Sequence, residues 1–154
     1  MNKFFDYQNT LSAEQRKRLG IFYTPKNIVD FINSSVLEKW CSKHSDPPRV
    51  VDQSCGTGIF LYDMAEKISA HWDIPLTQVI KNYIFGFDVD EGAIKVTKEI
   101  FGEKSNFEVQ NGLLVSSDVA DISVGNPPFV RIQNLDEQTR EAIKQYSWCG
   151  GDTD

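Results

Sequence analysis

The sequence predicts an α/β fold, a doubly wound parallel sheet with helices on both faces. Short strand-like segments at residues 49–52, 83–88, 106–109 and 121–124 alternate with segments of helical apolar period. The first of them passes directly into the turn Gly56-Thr57-Gly58. Strands separated by helices are joined by crossovers, which are right-handed and leave the strands parallel. No repeat, linker or low-complexity stretch interrupts the 154 residues, so one compact unit with its own core is expected.

The elements follow in order. Ser12 and Gln15 have capping-box spacing, which predicts a short helix through Arg16, Lys17 and Arg18 that Gly20 can end. This belongs to an N-terminal helical extension over residues 1–21. Thr24-Pro25 reads as an N-cap followed by proline at the first helical position. The helix it opens carries Ile28, Phe31, Ile32, Ser35, Val36 and Trp40 on one side, until Pro47-Pro48 breaks the chain. Arg49 to Asp52 is a short buried strand. From Ile59 the period becomes helical, with Phe60, Leu61, Met64, Ala65 and Ile68 in phase. Pro75 begins a helix with Leu76, Val79, Ile80 and Tyr83, and a second strand runs to Asp88. A helix with Ala93, Ile94, Thr97 and Ile100 leads to a third strand at Asn106–Val109. The fourth strand, Asp121–Val124, runs into Asn126-Pro127-Pro128-Phe129, and a last polar helix is expected from Asp136 to Tyr146.

Composition excludes several classes. Sixteen Lys and Arg against 22 Asp and Glu give a net charge of −6, which argues against binding nucleic acid through bulk charge. A local contact stays possible. No apolar run approaches the roughly 18–20 residues of a membrane span, and Asp6, Gln8 and Asn9 stand where a signal peptide would be apolar. A cytoplasmic chain without a membrane partner is expected. Cys41, Cys55 and Cys149 are odd in number and widely spaced, which suits neither a disulfide framework nor a zinc site. His44 and His71 read as surface histidines, so no metal is expected, and Arg16 to Arg18 read as a solvated helix face.

The segment Val50 to Gly58 joins a strand, a glycine-rich turn and a helix start. Glycines let the backbone approach a ligand closely, and a helix N-terminus offers free N–H groups. A dinucleotide turn would carry a third glycine where Leu61 stands. It is missing, and Asp52 lies four positions before Gly56 instead. That carboxylate would repel a pyrophosphate but suits a ligand that presents an ammonium group, such as S-adenosylmethionine. Thirty residues beyond Gly58, Asp88 ends the second strand, where a carboxylate can accept from both ribose hydroxyls. The usual distance is about 20 residues, and the helix around residues 75–82 accounts for the excess. A tight loop with a capping Asp would need the same residues, but strand, turn, helix and second-strand Asp in succession favour a ligand.

Asn126-Pro127-Pro128-Phe129 ends the fourth strand with two prolines, which stiffen the backbone and leave its carbonyls free to accept. The Asn126 amide oxygen and the Pro127 carbonyl make two acceptors for an exocyclic NH₂, and Phe129 offers a face on which a ring can stack.

These residues resemble a known family. Phe22-Tyr23-Thr24-Pro25, Asp52 to Gly58, Asp88 and Asn126-Pro127-Pro128-Phe129-Val130-Arg131 together look like the adenine-N6 DNA methyltransferases of restriction-modification systems. The Thr-Pro segment ahead of the glycine turn corresponds to their gamma arrangement. The resemblance runs from about residue 22 to about residue 131.

It implies a Rossmann-like methyltransferase sheet that uses S-adenosylmethionine. Thr24, Pro25, Asp52, Ser54, Gly56 and Gly58 would hold the methionine end, Asp88 the ribose, and Val89 would pack on the cofactor's adenine. Asn111 stands where the family often has an Asp that contacts the adenine amine, so the acceptor is kept and the charge is lost. Asn126 and Pro127 would bind the target N6 amine, Phe129 would stack on the flipped base, and Pro128 and Arg131 would flank it. The partner implied is DNA, with a restriction or specificity component as a further possibility. The family's sheet has seven strands and about four are legible, so residues 22–154 are expected to be the N-terminal part of a catalytic domain. Weak or no activity alone is the corresponding expectation. Protein-glutamine N5 and rRNA guanine-N2 methyltransferases share the Asn-Pro-Pro-aromatic geometry, and a non-catalytic cofactor-binding fragment is a third alternative. A nicotinamide dehydrogenase is disfavoured by Leu61 and Asp52.

Overall fold

The structure, a computed structural model, describes residues 3–12, 14, 24–115, 118, 120–128 and 137–144. Four parallel strands form one sheet in the order β3-β2-β1-β4. They are β1 (Val50–Asp52), β2 (Ile84–Asp88), β3 (Asn106–Val109) and β4 (Ile122–Ser123). The helices are α1 (Lys3–Thr10), α2 (Lys26–Cys41), α3 (Ile59–Trp72), α4 (Leu76–Tyr83), α5 (Glu91–Phe101) and α6 (Glu137–Lys144). The sequence thus predicts the α/β class and each of the four strands among the described residues, with ends moved by at most one residue.

The register pairs Val50 with Ile84 and with Ile122, and Asp88 with Val109. The β1 and β2 strand ends, and with them Asp52 and Asp88, therefore lie at the same edge of the sheet. One apolar cluster joins Val50, Ile84 and Phe107 of the sheet to Leu61, Met64 and Ile68 of α3 and to Ile94 and Phe101 of α5. Each such fully buried side chain contributes about 1.5–3 kcal/mol. Val51 and Phe87 point to the opposite face and are also buried, so that face is covered as well.

Helix α2 departs from expectation in two ways. Its buried residues are Val29, Asn33 and Leu37, whereas Ile28 and Phe31 are 44% and 69% exposed. The reason is polar. Asn33 Nδ2 donates to the Phe60 carbonyl at 2.8 Å and to Asp63 Oδ2 at 2.9 Å, which turns this face toward α3. Lys67 then reaches Asp30 at 2.6 Å across the same helix pair. The helix also starts one residue late: Pro25 is the cap, its carbonyl accepts from Ile28 and Val29 N–H, and Thr24 is released from capping.

Helix α1 lies within the helical extension expected over residues 1–21, where the sequence places no separate helix at Lys3–Thr10. The capping-box helix expected from Ser12 falls almost wholly outside the described residues, as do the ends of the last helix beyond α6. At β4 the ladder is shorter than expected because Asp121 turns to the Arg49 backbone N–H, at 2.8 Å. None of the described helices is long and apolar enough to cross a membrane.

Candidate functional site

Strand β1 ends in Asp52, which is 3% exposed and accepts from the Ser54 N–H at 2.9 Å. The chain then turns through Gly56 and Gly58, whose φ values of 53° and 86° lie in the left-handed region that glycine adopts without strain. Cys55 N–H donates to the Phe87 carbonyl at 2.9 Å and Gly56 N–H to Asp88 Oδ2 at 2.7 Å. The turn is thereby fastened to the end of β2. The other Asp88 oxygen accepts from Asp90 N–H at 2.9 Å. Val89, between them, leaves an apolar side chain 63% exposed beside the turn.

These carboxylates are crowded. Burial pushes Asp52 up to about 7; the Ser54 N–H opposes the shift and Asp88 adds to it. Burial also raises Asp88, against the hydrogen bonds from Asp90 and Gly56. The Cys55 thiol is pushed well up by burial and by both carboxylates, so it is no nucleophile at neutral pH. Among the described residues neither Asp52 nor Asp88 is paired with a Lys or Arg. A buried carboxylate and a half-buried one at the same sheet edge, neither with a cation, have the chemistry to receive a ligand's ammonium and hydroxyl groups.

Beyond β3, Gln110 N–H donates to the Asp88 carbonyl at 2.9 Å, which draws the next turn toward the same edge. Asn111 caps the 3₁₀ turn Gly112–Leu114: its Oδ1 accepts from Leu113 N–H at 3.1 Å. Its Nδ2 donates to Thr139 Oγ1 of α6 at 2.6 Å. Gln53 Nε2 reaches the Gly112 carbonyl at 3.2 Å and so joins the β1 and β3 turns.

Beyond β4, Val124 N–H still donates to the Val51 carbonyl, at 2.9 Å. Gly125 then lies directly against Asp52, where a Cβ would come within 2.5 Å of Oδ1. Asn126 Nδ2 donates to Thr24 Oγ1 at 3.2 Å. Pro127 and Pro128 are exposed. Thus Thr24 meets Asn126, Asp52 meets Gly125, and Asp88 meets Gly56, although each pair is remote in sequence. Phe129 and Arg131 lie outside the described residues, as do Phe22 and Tyr23.

Sequence reasoning missed Gly125 and Thr139. Gly125 was findable, since a glycine between a strand and Asn-Pro-Pro invites the question of what approaches it; Thr139 gave no signal. A cavity of about 500 Å³ opens between α1, α2, α3 and α5, and none of the expected site residues lines it. Of the two histidines read as surface residues, His71 has its Nε2 3.6 Å from Cys41 Sγ, and His44 stacks on Trp40. Among the described residues no three His, Cys, Asp or Glu side chains cluster as metal ligands.

Comparison with known proteins places the chain in a family. Residues 6–148 match the profile of a family described as N-6 DNA Methylase. The chain is 31% identical over 132 residues to the type II methyltransferase M.VspI of Vibrio sp. (strain 343), covering 80% of this chain and 28% of the relative. It is 25% identical over 130 residues to the type II methyltransferase M.CvrRI of Paramecium bursaria Chlorella virus XZ-6E, covering 83% and 29%. The chain therefore spans about three tenths of the length of these curated relatives. Among solved structures, the modification subunit of a putative type I restriction enzyme from Vibrio vulnificus YJ016 has the same fold. There the TM-score is 0.56 and the identity 23%, over 87% of this chain and 31% of that one.

Proposed function

The chain belongs to the N-6 DNA Methylase family, and on that premise we propose that it carries the catalytic centre for methyl transfer from S-adenosylmethionine to adenine N6 in DNA. The motif order, with Thr24-Pro25 ahead of the glycine turn, is read as the gamma arrangement. The protein would act in the cytoplasm, on DNA, alongside a restriction or specificity component.

The observation that supports this most is the contact of Gly125 with Asp52. It puts the Asn126-Pro127 segment next to the buried carboxylate that suits an ammonium group. The cofactor fits the residues present. Asp52 with the Ser54–Gly58 turn would hold its methionine end, together with Thr24 and Pro25. Asp88 has acceptor capacity left for the ribose hydroxyls, exposed Val89 offers an apolar surface to an adenine, and Asn111 Oδ1 can accept a second hydrogen bond. When bound, S-adenosylmethionine supplies a methyl group already made electrophilic by the sulfonium.

The protein's task is then orientation. The N6 lone pair of adenine is delocalised into the ring and is a poor nucleophile. Asn126 donates its Nδ2 to Thr24, which leaves Oδ1 as an acceptor for one N6 hydrogen. The Pro127 carbonyl would take the other. Two acceptors on its hydrogens favour a pyramidal nitrogen with a localised lone pair, and such positioning is worth several kcal/mol. The base must leave the duplex at a cost of a few kcal/mol, which stacking on Phe129 would partly offset, with Pro128 and Arg131 beside it.

Radiolabelled S-adenosylmethionine supplied to the protein with unmethylated DNA, RNA or protein tests the reading. Label, weak from this chain by itself, is expected in DNA as N6-methyladenine and not in RNA or protein. Asn126→Ala should abolish transfer while keeping affinity for S-adenosylhomocysteine within a few-fold. Label in guanine or glutamine instead, or an Asn126→Ala protein that still methylates adenine, would overturn it.

A further inference from the structure

Helix α1 has no role in the reading above, yet it is fastened to both loops that set Asp88. Tyr7 Oη shares its proton between the two Asp90 carboxylate oxygens, at 2.8 and 2.9 Å. On the other side, Thr57 Oγ1 donates to the Phe4 carbonyl at 2.8 Å, and Thr57 is itself 8% exposed. Phe4 closes the contact with its ring edge-on to Tyr62, centroids 5.4 Å apart.

The two anchor residues flank the hydrogen bonds that hold Asp88. Thr57 follows Gly56, whose N–H donates to Asp88 Oδ2. Asp90 supplies the N–H on Asp88 Oδ1, while its own carboxylate caps α5 through Gly92 and Ala93 N–H. Gly92 is the residue that makes room, because a Cβ there would collide with the Tyr7 hydroxyl. Tyr7 is also pushed up to about 12 by burial and by Asp90, so it remains a donor at neutral pH.

We propose that α1 is a strap for the cofactor site, in which Tyr7 and Thr57 are positioning residues that act through Asp90 and Gly56 on Asp88. This rests on the reading of Asp88 as the acceptor for the ribose of an adenosine-type ligand. The docking of α1 and the binding of such a ligand then stabilise each other, since linkage is reciprocal.

The test uses the full chain and S-adenosylhomocysteine, with affinity measured by calorimetry and amide exchange followed over residues 3–10. Tyr7→Phe keeps the ring and loses the donor. It should weaken binding about five- to twenty-fold, and Thr57→Val should act in the same direction while Thr57→Ser stays near wild type. In the wild type, α1 amides should exchange more slowly once ligand is added, a change that a helix serving only the core would not show. Wild-type binding with both Tyr7→Phe and Thr57→Val within two-fold of it, or α1 exchange indifferent to ligand, would overturn the strap alone. A wild-type chain that takes up no S-adenosylhomocysteine would overturn the cofactor reading and the strap with it.

Discussion

Asn126 Nδ2 lies 3.2 Å from Thr24 Oγ1, across 102 positions of sequence. The bond assigns the two ends of the Asn126 amide: nitrogen toward Thr24, oxygen free to accept. It exists because α2 begins at Lys26 and leaves the Thr24 hydroxyl unused by its helix.

Thr24→Val should therefore lower methyl transfer about tenfold, because the amide loses the partner that orients it. Thr24→Ser should keep most of the activity. Single-turnover rates with saturating cofactor are the measurement, and equal rates for Val and wild type would remove the bond from the mechanism.

Asp52 should make stability depend on pH. Its carboxyl ionises near 4 in the unfolded chain and at about 7 when folded, so the folded state holds the extra proton between those values. Stability from this group is fully present below about pH 4 and is lost as pH rises through 7, at a cost of roughly 4 kcal/mol. Asp52→Asn retains an acceptor for Ser54 but buries an unpaired NH₂, worth about 1–3 kcal/mol. The variant should be more stable than wild type at pH 8 by roughly 1–3 kcal/mol, but not at pH 4. Urea unfolding at the two pH values reads the difference.

On the proposed function, the same proton would also govern the ligand. If Asp52 receives an ammonium group, it must be ionised first, so affinity for S-adenosylhomocysteine should rise about tenfold per pH unit toward 7 and level off above it. Asp52→Asn should bind weakly at every pH. A flat titration in the wild type would detach Asp52 from the ligand.

Gly125→Ala forces a methyl to 2.5 Å from Asp52 Oδ1, at a backbone φ of 155°. Either the carboxylate or the Asn126 segment must move. Overpacking of this kind costs about 1–3 kcal/mol, and transfer should fall more than a hundredfold because both halves of the site shift. Thermal unfolding and methyl-transfer assays together check it.

Thr139 is 2% exposed and accepts from Asn111. Thr139→Val leaves the Asn111 Nδ2 donor without that partner, at about 1–3 kcal/mol, and should raise KM for the cofactor more than it lowers kcat. Thr139→Ser should behave as wild type.

Most of the fold was legible because its signals are local. The buried stripe of α3, with Phe60, Leu61, Met64, Ala65 and Ile68, repeats with the helix. The face of α2 was not legible. Apolar periodicity chose Ile28 and Phe31, whereas Asn33 won the buried position through partners on a helix some 30 residues away. The docking of α1 was not legible for a related reason: its anchors, Tyr7 and the Phe4 carbonyl, find partners 83 and 53 positions along the chain.

The sequence by itself determined the α/β class, the four strands, the turn at Gly56 and the residues with the chemistry to hold an ammonium, a diol and an amine. These depend on residue type and short spacing. Only the tertiary structure decided that Gly125 abuts Asp52, that Thr24 orients Asn126 and that α1 closes on Asp90. Those relations arise where parallel strands bring their C-terminal ends to one edge, and side chains far apart in sequence meet there because crossovers return each strand in the same direction.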